Sequence, residues 1–83
     1  MIERLANNQF ITTDGDKRTF QSYDSIIAVQ GTNHVLLSKH YDFSKTTMKY
    51  LVKFLGLSSI KEVRNKINSG EYTISIDTEG RLL

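Results

Sequence analysis

Apolar and polar positions change their period along this chain. Residues 9–13 and 17–23 are short runs rich in Phe, Ile, Thr and Tyr, the composition of half-buried strands. Asp14, Gly15 and Asp16 lie between them with the turn chemistry of a short hairpin. A mostly apolar run, residues 25–30, is followed by Gly31, Thr32 and Asn33, which turn the chain into residues 34–37 and predict a second hairpin. Only Asp24 separates the second run from the third. These two read either as separate strands or as one strand bent at a bulge.

Beyond residue 43 the period lengthens. Ser44 is placed to cap free N–H groups, and Met48, Leu51, Val52 and Leu55 follow at helical spacing until Gly56 stops the run. Ser59 and Glu62 form a capping box ahead of Ile60, Val63 and Ile67, a second helix that Gly70 ends. Residues 71–77 alternate, with Tyr72, Ile74 and Ile76 on one face, as a half-buried strand does. Residues 78–83 extend that strand or fray. The predicted fold is α+β: a small antiparallel β-sheet of four to five strands, made of two N-terminal hairpins and a C-terminal strand, with two helices packed on one face.

Composition narrows the picture. With 83 residues the chain holds one domain, 1–83, and 24 Leu, Ile, Val and Phe are enough apolar side chains for it to fold. There is no cysteine, which removes disulfides, thiolate metal sites and cysteine nucleophiles, and fits a reducing cytoplasm. No apolar run approaches the roughly 20 residues of a membrane span, and Met1–Arg4 is not followed by the apolar segment of a secretion signal. The expectation is a cytoplasmic protein without a membrane partner.

Charge is uneven. Between Lys39 and Lys66 there are seven bases and two acids, whereas the flanks are mildly acidic and the whole chain carries +2. One cationic face is expected. On the first helix, Lys45, Lys49 and Lys53 align on one side, and Tyr50 and Phe54 widen the apolar arc to about 200°, more than one sheet covers. Either the second helix covers Tyr50 and Phe54, or they are presented to a partner. Lys45, Lys49, Lys53, Tyr50 and Phe54 are therefore the candidate partner-binding residues. The lysines suit phosphates as well as acidic side chains, yet no zinc-finger, RRM or KH signature is present.

Catalytic and metal readings have little to rest on. His34 and His40 lack ligand spacing, Asp14 and Asp16 lack the rest of a calcium loop, and no serine sits in a nucleophile elbow. No glycine-rich phosphate loop is present. The chain reads as a non-enzyme without cofactor or metal.

Four strings, NQFI at 8–11, TFQSYDSIIA at 19–28, YDFSKTTMKYLVKFLG at 41–56 and INSGEYTI at 67–74, resemble a family of short uncharacterised proteins of phages, prophages and other mobile elements, mostly of Gram-positive bacteria. The most specific part is borne by Tyr41, Asp42, Phe43, Ser44, Thr46, Thr47, Lys49 and Tyr50. The tryptophan common beside the aspartate in relatives is missing from this chain. Much of the motif also has a structural reading, with Tyr41 and Phe43 anchoring the start of the helix in the core. The resemblance implies a mobile-element accessory protein in a bacterial host cytoplasm. Together with the lack of catalytic groups, it leads to the expectation of an anti-CRISPR-like or host-takeover inhibitor that binds a host protein or nucleoprotein. The alternatives are a nucleic-acid-binding accessory factor using the basic first helix, and a homo-oligomer closed through Tyr50 and Phe54.

Overall fold

The computed structural model, which describes residues 1–83, contains each expected element and one strand that was not expected. The order is β1 (Ile2–Ala6), β2 (Gln9–Asp14), β3 (Lys17–Ser22), β4 (Ser25–Gln30), β5 (Val35–Ser38), α1 (Lys45–Leu55), α2 (Ile60–Asn68) and β6 (Tyr72–Ile76). The fold is α+β, a six-stranded sheet in simple sequential order with two helices.

Three tight turns build the N-terminal meander. Gly15 takes a positive φ of 60° in the β2–β3 turn, a conformation that costs a residue without Cβ little. Tyr23 and Asp24 turn β3 into β4 across the Ser22–Ser25 pair, so these are separate antiparallel strands. A bulge is present as well, because Phe20 opposes Ala28 while Gln21 opposes Ile26, leaving Ile27 as an extra residue on β4. β1 continues the meander at one edge, where exposed Glu3 and Arg4 put charge on a strand that lacks an outer neighbour.

The sheet is mixed rather than antiparallel throughout. β5 and β6 pair in parallel, with Val35 opposite Tyr72 and Leu37 opposite Ile74. Both helices lie in the connection between them, and such a crossover returns the chain to run in the same direction. Beyond β6 the chain neither extends the strand nor frays. Asp77 Oδ1 accepts from the amides of Glu79 and Arg81, each at 2.9 Å, and the turn brings Leu82 back against Ile76.

One register row explains the core. Ile11, Phe20, Ala28 and Leu37 stand directly opposite one another across β2 to β5 and are all buried. The same row ends on exposed Glu3 in β1 and Ile74 in β6, whereas Tyr72 and Ile76 of β6 are buried. Ile27, Val35 and Tyr72 of the sheet, Leu51 and Phe54 of α1 and Val63 of α2 complete this cluster. The Phe54 ring stacks on Phe20 with centroids 5.7 Å apart and planes 25° from parallel. The Arg18 guanidinium sits 4.8 Å from the same ring and donates to Gln30 Oε1 at 2.8 Å. Beside this core, Gln9 is fully buried with neither amide atom hydrogen-bonded to protein, a cost of roughly 1–3 kcal/mol for a buried polar group.

Candidate functional site

The start of α1 is fixed by a chain of hydroxyls. Ser44 at the N-cap has extended backbone angles, and its Oγ accepts from the Thr47 amide at 3.1 Å. The Ser44 hydroxyl donates to Thr47 Oγ1 at 3.0 Å, and Thr47 in turn lies 3.0 Å from Ser22 Oγ on β3. The helix is thereby tied to the sheet. Gly56 ends it in the left-handed conformation at φ 71°.

From this start Lys45, Lys49 and Lys53 project from the exposed side of α1. They line a groove of about 500 Å³ whose other wall is Leu57, Ser58 and Ile60 at the beginning of α2. None of the three is in an ion pair; the ion pairs of the molecule join Arg64 to Asp42, Lys66 to Glu71 and Arg81 to Glu79. Glu62, the acid in the first turn of α2, is engaged elsewhere. Its carboxylate accepts from the Ser58 hydroxyl and, at 3.0 Å, from the Ser58 amide, and these bonds hold its pKa below the ordinary range. The capping box is thus displaced by one residue: Ser59 Oγ caps the Glu62 amide, whereas Glu62 reaches back to Ser58.

The two candidate aromatics of α1 part company. Tyr50 is half-buried against the core, with the ammonium groups of Lys49 and Lys53 each 5.3 Å from its ring centre, so the ring and two lysines form one surface. Phe54 is only 2% exposed and is corrected to a core residue. The reason is the sheet itself, since Phe20 and Arg18 of β3 both pack against the ring that the helical arc alone left uncovered.

A second concavity lies on the other side of the same helical turn. It measures about 540 Å³ and is bounded by the β3–β4 turn and the lead-in to α1, with Tyr23, His40 and Phe43 at its rim and Ser22, Ser25 and Thr46 among its hydroxyls. Phe43, expected in the core, is 77% exposed, while Tyr41 packs against the core as expected. The His40 ring lies 5.7 Å from the Phe43 ring. Sequence reasoning missed this cleft because a phenylalanine just before an N-cap ordinarily packs onto the first turn of its helix. The available signal was that Phe43 stands between two polar residues, Asp42 and Ser44.

No group of three or more His, Cys, Asp or Glu side chains converges anywhere, and His34 and His40 occupy different concavities. No helix is long and apolar enough to cross a membrane.

Compared with known proteins, residues 3–70 match a family described as a family of unknown function, DUF8033. The chain belongs to that family. The matched segment runs from β1 to just beyond α2 and includes both concavities. Nothing among curated proteins and nothing among solved structures matches the chain.

Proposed function

We propose that this DUF8033 member is a phage or mobile-element accessory protein that acts by binding a host macromolecule, as a counter-defence (anti-CRISPR-like) or host-takeover inhibitor in the bacterial cytoplasm. The observation that carries the binding surface is the unpaired state of Lys45, Lys49 and Lys53 along one exposed face of α1. Three uncompensated cations beside a groove favour an acidic partner, because complementary charge speeds encounter and selects among partners. Half-buried Tyr50, flanked by two of these ammoniums, supplies an aromatic contact at the same surface. The mobile-element setting is supported by the resemblance of residues 8–11, 19–28, 41–56 and 67–74 to proteins of such elements. The alternative reading, a nucleic-acid-binding accessory factor, uses the same three lysines.

The test is affinity capture from host lysate with the wild type and a Lys45→Glu/Lys49→Glu/Lys53→Glu variant side by side, with and without nuclease. A host protein or nucleoprotein retained by the wild type and lost by the variant is expected. Identical sets for both proteins would remove α1 as the contact surface, and a set lost on nuclease treatment would favour the nucleic-acid reading.

A further inference from the structure

We infer that the cleft between Tyr23 and Phe43 takes an unstacked base of a single-stranded nucleic acid whose phosphates follow the lysines of α1. This rests on the alternative reading above, in which the lysines of α1 meet nucleic acid, and it states which kind. Phe43 and Tyr23, 77% and 55% exposed, stand at the rim of the same cleft, where a packed domain ordinarily keeps no pair of large rings in water. Tyr23 is held there by a backbone at φ 56°, the left-handed region that is costly for a bulky side chain. A cleft of about 540 Å³ is of ligand size and admits a base or nucleoside, not a duplex.

Its floor is suited to the edge of a base. Ser44 donates to Thr47 Oγ1, and in the Thr47–Ser22 pair, 3.0 Å apart, either hydroxyl can be the donor. Ser25 and Thr46 add hydroxyls that bond to nothing else in the protein, and the carbonyl and ring-nitrogen acceptors of bases match such donors. Continuity with the lysines is built into one helical turn: Ser44 and Thr46 line the cleft, and Lys45 between them lines the groove. Lys49 and Lys53 continue from Lys45 in steps of about 6 Å along the helix axis. No acid lines the cleft; of the two next to its aromatics in sequence, Asp42 is paired with Arg64 at 3.9 Å and Asp24 stands in the turn beside Tyr23. An acidic protein would be satisfied by the lysines alone; rings set beside free hydroxyls and next to a cationic track match the stacking platforms that bind single strands.

Fluorescence anisotropy with short labelled oligothymidylate, oligouridylate and a duplex, at low and high salt, tests this. Single-stranded probes are expected to bind better than the duplex. Phe43→Ala is expected to weaken single-strand binding about tenfold with an unchanged salt slope, and Phe43→Trp to retain it. Lys49→Glu is expected to lower both affinity and the salt slope. A melting temperature for Phe43→Ala within a few degrees of the wild type confirms that the loss is not unfolding, and Tyr23→Ala provides a second variant from the opposite rim. Single-strand binding that is lost in Lys49→Glu but unchanged in Phe43→Ala and Tyr23→Ala would overturn the cleft while preserving the acidic-partner reading. Equal binding of duplex and single strands, or no binding at low salt, would overturn the inference and leave the acidic-partner reading to the capture experiment.

Discussion

The backbone N–H of Tyr23 donates to the carbonyl of Asn8 at 2.7 Å, and these are the two non-glycine residues of the chain with positive φ, 56° and 63°. The β1–β2 and β3–β4 turns are therefore clasped to each other at the end of the sheet that carries the aromatic cleft. The two residues differ in what this conformation costs. Asn tolerates the left-handed region through local hydrogen bonding, whereas a tyrosine does not.

Glycine substitution separates the two. Tyr23→Gly is expected to raise stability by about 0.5–1 kcal/mol, the relief of left-handed strain less the extra chain entropy of glycine. That corresponds to roughly 2–8 °C in melting temperature for a domain of this size. Asn8→Gly is expected to change it by no more than a few tenths of a kcal/mol. Thermal melts of both variants decide the point, and a lower melting temperature for Tyr23→Gly would mean that contacts of the ring outweigh the strain of its backbone.

Phe54 shows how far an argument from helical arcs reaches. Its ring is buried against Phe20 and Arg18, so Phe54→Ala empties a core position and is expected to cost about 3–5 kcal/mol. Tyr50→Ala, at a half-buried position, is expected to cost clearly less. Urea unfolding measures both. Similar small losses for the two variants would return Phe54 to the surface as a candidate contact.

The features legible in the sequence were those set by local chemistry. Ser44 and Gly56 bound α1, Ser59 caps α2, and Gly15 forms the β2–β3 turn, each through contacts within a few residues. What was not legible depends on distant partners. β1, with the sequence IERLA, carries no alternation and packs on the core only through Leu5, and becomes a strand because β2 offers it an edge. The parallel pairing of β6 with β5 depends on how both helices pack, which no residue of β6 announces. The candidate surface divides in the same way. Periodicity placed Lys45, Lys49 and Lys53 on one face, but the burial of Phe54 depends on Phe20 and Arg18 of β3, which are distant in sequence.

Four titrating groups give stability a shape against pH. Glu62 is held low by the Ser58 hydroxyl and amide, and Asp77 by the backbone N–H groups of Arg81 and Glu79. A carboxylate whose pKa is depressed on folding adds stability above its unfolded pKa, and this is lost as pH falls through the folded value. Lys66 is raised chiefly by its hydrogen bond to Glu71 at 2.5 Å, and Tyr72 by burial. Raised groups act oppositely, adding stability below their unfolded pKa that is lost as pH rises through the folded one. The melting temperature is therefore expected to be level across neutral pH, to fall below about pH 4 and to fall again above about pH 10. A Glu62→Gln/Asp77→Asn variant should flatten the acid limb and leave the alkaline limb in place, and Lys66→Gln should soften the alkaline limb alone. An acid limb of undiminished depth in the double variant would assign acid sensitivity to other carboxylates and remove Glu62 and Asp77 as its source.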